Sequence, residues 1–219
     1  MGALEVVVHA GYYGGLSSEE AYKLVKQRYG ELMDEARDKG VKKANVAFET
    51  TGKVSQFGTL DELISLCREV NCLICVDFAH IYARQAGKID YAEVFDRLKP
   101  LKPSHLHIHF SGIEWSPAKT GEGGNEKNHV EIKHDKPPFK PLAQEILKRK
   151  IDVTIISESP ILEQDSLVMK RVFELLDPGI NFHVFVKDAS CVHPGDIIAM
   201  VEGNGRALLK GERVALNFV

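Results

Sequence analysis

A short β-branched run followed by an amphipathic stretch recurs five times along the chain. Leu4 to Ala10, Ala44 to Thr50, Cys72 to Phe78, Leu106 to Phe110 and Val153 to Ser157 are short and apolar, as strands buried on both faces are. The segments between them carry helical signals. Ser17-Ser18-Glu19-Glu20 offers a cap and first-turn acids for a helix reaching about Lys39. Thr59-Leu60-Asp61-Glu62 does the same for a helix ending near Val70. Further helices are predicted to include Tyr91 to Leu98, to end at Lys150, and to run from Ser166 to Leu176. Ser111 to about Pro138 reads as a long polar loop. Strands that alternate with helices predict an α/β fold with a parallel sheet.

Residues 179–219 break this rhythm. Phe182 to Lys187, Ile197 to Val201 and Arg206 to Leu209 read as short strands, with turns at Gly203-Asn204-Gly205 and Lys210-Gly211-Glu212. The expected division is therefore a larger α/β domain over 1–178 and a small β-rich appendage over 179–219. The His193-Pro194-Gly195-Asp196 turn and the residues after it faintly resemble the later strands of a PUA-type RNA-binding module. That resemblance implies an RNA contact; a purely structural tail is the plainer reading.

Composition narrows the class only a little. The chain is 44% hydrophobic and 27% charged, which suits a globular protein. No apolar run is long enough to span a bilayer, and the start has no basic region ahead of its short apolar stretch. A cytoplasmic protein without a membrane partner is expected. Its cysteines, Cys67, Cys72, Cys75 and Cys191, are then thiols. Cys72-Leu73-Ile74-Cys75 has metal-like spacing but no second pair nearby, so core packing is the simpler reading. The net charge of −3 gives no global attraction to nucleic acid. It leaves room for a local basic rim around buried acidic ligands.

The chemistry collects where strands end. His9, Glu49, Asp77, His109 and Glu158 stand at five successive strand ends, each a good metal ligand. Active sites of α/β barrels and open α/β sheets lie at that carboxyl end. A lone acid there is commonly a helix cap, and a lone histidine a bonded core residue. Five together point to a site. In Asp77-Phe78-Ala79-His80, Asp77 ends the strand and His80 begins the loop behind it, so both can turn into one mouth. Oxygen and imidazole donors suit zinc or manganese. In His105-Leu106-His107-Ile108-His109 the three imidazoles share one face, because side chains alternate along a strand. His109 is the expected ligand, His107 a ligand or its support, and His105 structural.

These runs, in order, resemble the endonuclease IV family: Val8-His9-Ala10-Gly11, Phe48-Glu49-Thr50-Thr51-Gly52 with Ser55-Gln56-Phe57-Gly58, Val76-Asp77-Phe78-Ala79-His80, His107-Ile108-His109-Phe110, and Ile156-Ser157-Glu158-Ser159-Pro160. The resemblance covers about residues 4–176. It implies a TIM-type (β/α) barrel in partial form, about the last five βα units. It also implies zinc-dependent cleavage of DNA at abasic sites. Metal ligands would be His9, Glu49, Asp77, His80, His109, His129 and Glu158, holding two or three zinc ions, with manganese as an alternative. Glu49, Asp77 and Glu158 would be the catalytic carboxylates, with Glu49 bridging two ions. Arg84, Lys127 and Tyr12 are the expected substrate contacts, with Lys53 and Lys119 in the same active-face loops. Tyr12 and Tyr13 also read as barrel rim, and Lys42 and Lys43 as a solvated rim at the opposite end.

Three departures accompany the resemblance. The family's barrel has eight strands, so an upstream histidine ligand and some DNA-contacting loops are expected before Met1, and open sheet edges would invite self-association. The family's Asp-x-His pair corresponds here to Glu126-Lys127-Asn128-His129. Lys127 in the acid's place predicts either a weakened third site or an ammonium that holds phosphate. The loop carrying Gly121-Glu122-Gly123-Gly124 matches only loosely, and His134 stands nearby as a substitute ligand or a solvated loop residue. Two rival functions stay open. A single-metal sugar isomerase or epimerase would use Glu49, Asp77, a strand histidine and Glu158, without needing His9 or His129. A barrel that has lost catalysis would only bind.

Overall fold

The computed structural model describes residues 5–41, 45–176, 181–184 and 199–202. In chain order its elements are β1 (Val6–Val8), α1 (Ser18–Asp38), β2 (Val46–Glu49), α2 (Leu60–Val70), β3 (Leu73–Asp77), α3 (Phe78–Arg84), α4 (Tyr91–Leu98), β4 (Leu106–Phe110), β5 (Gly112–Pro117), β6 (Gly124–Val130), α5 (Phe139–Arg149), β7 (Val153–Ser157), α6 (Glu163–Leu176), β8 (Asn181–Val184) and β9 (Ala199–Glu202). The five predicted strands form one parallel sheet in the order β1-β2-β3-β4-β7. It curls as a half-barrel, the α/β architecture of a partial TIM barrel.

Local chemistry sets the helix starts. Ser17 and Glu20 form a complete capping box on α1, and Thr59 and Glu62 form one on α2. Alternation then sorts each strand. Phe48, Ile74, Val76, Leu106, Ile108 and Phe110 join the helix-covered core, with Leu63, Leu66, Phe95, Leu142 and Ile146 from the helices. Each such buried side chain contributes about 1.5–3 kcal/mol. Ala47, Glu49, Cys75, Asp77, His107 and His109 occupy the alternate positions, so this core sits between sheet and helices and leaves the sheet's other face to the polar residues.

Two expectations change. The segment from Ser111 to Pro138 is not a structureless loop. Its β5 and β6 pair antiparallel, and a 3₁₀ turn comes after them at Ile132–His134. Ile113 and Trp115 pack this hairpin against Ala79, Tyr82 and Ala83 of α3. Gly124 makes the approach possible: a Cβ there would lie 2.2 Å from the Ala83 carbonyl oxygen. Nor does His80 begin a loop. It lies in the first turn of α3, where Asp77 is the N-cap and accepts the His80 backbone N–H at 2.7 Å.

Beyond α6, β8 and β9 pair antiparallel, Asn181 opposite Glu202. The strand expected at Arg206 to Leu209, the turns at 193–196, 203–205 and 210–212, Cys191, and the Lys42–Lys43 pair lie outside the described residues. No helix among the described residues is long and apolar enough to cross a membrane.

Candidate metal centre

Register places the donors. Glu49 stands opposite Cys75, and Asp77 opposite His109, so β2, β3 and β4 deliver carboxylate, carboxylate and imidazole to one end of the sheet. His9 comes directly after β1. Glu158 comes directly after β7, and its backbone N–H donates to the Phe110 carbonyl at 3.1 Å. Asp77, His80, Glu49 and His109 are all buried.

Glu49 is the hub. Its Oε2 lies 3.1 Å from His9 Nε2, while its Oε1 lies 3.1 Å from His109 Nδ1 and 3.3 Å from His80 Nδ1. His80 Nδ1 also lies 3.0 Å from the Thr50 carbonyl oxygen. Glu158 Oε1 sits 3.0 Å from His109 Nδ1, and its Oε2 4.0 Å from His129 Nε2. His129 Nδ1 is 2.7 Å from the Ser111 hydroxyl. Asp77 is locked by its neighbour: its backbone N–H donates to Thr50 Oγ1 at 2.9 Å, and that hydroxyl donates to the Asp77 carbonyl at 3.2 Å.

Charge in this pocket is heavily coupled. Burial would raise the Glu49 carboxyl, but hydrogen bonds from His109, His80 and His9 hold it far below the ordinary range. Burial would likewise lower His80, yet the Asp77 charge and the hydrogen bonds it donates to Glu126 and Glu49 push it up to about 11. His109 is raised against its burial by Cys75, Glu158 and Glu49. Asp77 is raised, chiefly by burial. Protons on imidazoles thus neutralise clustered carboxylates, which is the role a divalent cation takes when it displaces them.

The residues fit such cations. Asp77 Oδ2 is buried with no hydrogen-bond partner, an expensive state unless something binds it. Three overlapping sets have ligand atoms within 4.8 Å of one another: His9, Glu49, His80; His80, His129, Glu158; and Glu49, Asp77, His109, Glu158. All seven expected ligands are therefore brought together.

Sequence reasoning missed Glu126 as the carboxylate beside His80. Its Oε2 lies 3.0 Å from His80 Nε2, and its Oε1 3.5 Å from Lys53 Nζ. Burial opposes its ionisation, but His80 holds it down at about 2. In a regular strand Glu126 and His129 would face opposite sides. A bulge absorbs the extra residue: Trp115 pairs with Glu126, and Ile113 with His129. Lys127 is exposed, and the acid beside His80 is Glu126.

The expected substrate contacts are placed differently from one another. Arg84 Nη1 donates to Thr51 Oγ1 at 2.9 Å, the Lys53 carbonyl at 2.6 Å and the Gln56 carbonyl at 2.9 Å, holding the loop between β2 and α2. Tyr12 is exposed at the rim, bridged to Gln56. The Tyr13 hydroxyl donates to Glu62 at 2.8 Å. Lys119 and His134 are exposed. His105 Nε2 lies 2.9 Å from Thr154 Oγ1, away from the mouth donors.

Residues 1–177 match the family model described as the xylose isomerase-like TIM barrel. An uncharacterized protein of Methanocaldococcus jannaschii is 34% identical over 181 residues, covering 78% of this chain and 63% of that protein. A probable endonuclease 4 of Mycoplasma mobile is 25% identical over 189 residues, 80% of this chain and 62% of its own length. A solved D-tagatose 3-epimerase-like protein aligns with a TM-score of 0.59 at 20% identity, over 80% of this chain and 64% of that one. The chain thus spans less than two thirds of these relatives' length. Residues 165–219 match a second model, the N-terminal domain of quinolinate phosphoribosyl transferase.

Proposed function

Since the chain belongs to the xylose isomerase-like TIM barrel family, we propose that it is a metal-dependent phosphodiesterase of the endonuclease IV kind, acting on DNA at abasic sites. The observation that carries this reading is the number of donors. Three overlapping ligand sets and Glu126 converge on one mouth, more than a single ion takes. The sequence likeness to a probable endonuclease 4 supports it.

Glu49 is the residue suited to bridge: its two oxygens already face different partners, His9 on one side and His109 with His80 on the other. Asp77, His109 and Glu158 complete the inner set, and His80, Glu126 and His129 the outer one. Zinc or manganese held there would supply Lewis-acid activation of water near neutral pH and neutralise charge on the phosphate. Asp77 and Glu158 would be the proton-accepting carboxylates of the mouth. Arg84 ties the loop between β2 and α2 to the end of α3, and Tyr12 and Lys127, both exposed, are the proposed contacts to DNA.

A single-metal sugar epimerase is the second reading. It is favoured by the set Glu49, Asp77, His109 and Glu158, which alone satisfies one ion, and by the fold shared with the epimerase-like structure. Metal content and cleavage of an abasic-site duplex, measured on wild type and Glu49→Gln, separate the two. Two or more zinc per chain, with cleavage lost in the variant, is the expected result. One ion per chain and no cleavage with added zinc or manganese would overturn the nuclease reading in favour of the epimerase. Neither metal nor cleavage would leave a barrel that only binds.

A further inference from the structure

One residue pair below the mouth, a different set of donors lines the sheet. Cys75 is fully buried and stands between Glu49 on β2 and His107 on β4. The ligand atoms of Cys75, His107 and His109 all lie within 4.8 Å of one another. His107 and His109 meet edge to face, with ring centroids 5.1 Å apart.

His107 is what distinguishes this cluster from packed interior. Its Nδ1 lies 3.1 Å from Glu5 Oε1, and its Nε2 is buried without a hydrogen-bond partner. A carboxylate holding one ring nitrogen while the other stays bare is the arrangement that orients a metal-ligating histidine. Buried polar atoms otherwise find partners.

We propose that Cys75, His107 and His109 form a second, deeper cation site for a thiophilic divalent ion such as zinc or cobalt, with Glu5 as the carboxylate that orients His107. The sulfur sets it apart from the mouth, whose donors are only nitrogen and oxygen. The Cys75 thiol releases its proton to solvent as the sulfur–metal bond forms, one proton per ion. His109 belongs to both sites, because its Nδ1 also faces Glu49 and Glu158. Three protein donors leave a fourth position for water.

Cobalt(II) titration of the purified full chain tests this without reference to cleavage. Thiolate bound to cobalt gives a near-ultraviolet charge-transfer band, which nitrogen and oxygen donors do not. The expected result is such a band in wild type, lost in Cys75→Ser while weaker visible absorption from the mouth remains. Glu5→Gln keeps the band but needs about 10- to 100-fold more cobalt to reach it. His9→Gln, which alters the mouth at a side chain set against Glu49 and His80, keeps the band. No band at saturating cobalt, or a band that survives Cys75→Ser, overturns the deep site. A band lost in His9→Gln assigns the sulfur to the mouth and overturns a separate site. Unchanged affinity in Glu5→Gln overturns the role of Glu5.

Discussion

Gly52 is placed where any side chain would collide with Glu126. A Cβ there would lie 2.0 Å from Glu126 Oε2 and 2.9 Å from Glu126 Cβ. Gly52→Ala is therefore expected to push Glu126 away from His80 and lower the metal content of the purified chain, with the circular dichroism of the fold unchanged. Retention of full metal content would show that Glu126 is not a ligand. Without metal, the stabilisation from this pair depends on pH. Glu126 is depressed from 4.5 to about 2, so its stabilising contribution is present above pH 4.5 and is lost as pH falls towards 2. His80 is raised from 6.5 to about 11, so its contribution is complete below pH 6.5 and is lost as pH rises towards 11. Urea unfolding in chelator is expected to show greatest stability between pH 4.5 and 6.5, the window those two shifts bound, and a maximum outside it would contradict the pairing. Residue identity alone exposed Glu49, Asp77, His109 and Glu158, because a ligand at a strand's carboxyl end is legible once the strand is. Glu126 was not legible: its place beside His80 depends on a contact distant in sequence that no local spacing encodes.

At the scale of elements, the parallel strands were readable and the hairpin was not. Leu106–Phe110 and Val153–Ser157 are unbroken apolar or alternating runs, and their bounds agree with the structure. The strands β5 and β6 hold few apolar residues, and their partner surface is a helix, α3, that starts directly after β3. Asp77 as that helix's cap was also readable in principle, since a carboxylate just before a helix accepts first-turn N–H groups. The bulge in β6 makes a counterintuitive prediction. Deleting Asn128 converts Glu126-x-x-His129 into a two-residue spacing, which in a regular strand keeps both side chains on one face. The deletion variant is expected to bind the same number of metal ions as wild type, by elemental analysis. Loss of an ion would mean that the bulge itself shapes the site.

For the molecule as a whole, βα alternation was enough to indicate a parallel α/β sheet, and the ordered strand-end motifs were enough to suggest a partial barrel. What the alternation could not supply is the sheet's outer boundary, because strand pairing is set by neighbours in space. Among the described residues β2, β3 and β4 have a hydrogen-bonded strand on each side, whereas β1 and β7 have one. We propose that these margins support self-association of the chain.

A strand hydrogen-bonded on both sides is held by more contacts than one bonded on a single side. The mouth donors do not share that support equally. Among the described residues, Glu49, Asp77 and His109 come from strands paired on both sides, while His9 and Glu158 leave strands paired on one side. Cation uptake is therefore expected to be stepwise: a first ion settles on the rigid centre, and a second must draw the margins inward before it is fully held. Calorimetric titration would resolve this as two phases, the weaker one carrying the cost of bending the sheet. A single phase would mean that the marginal donors are held as firmly as the central ones.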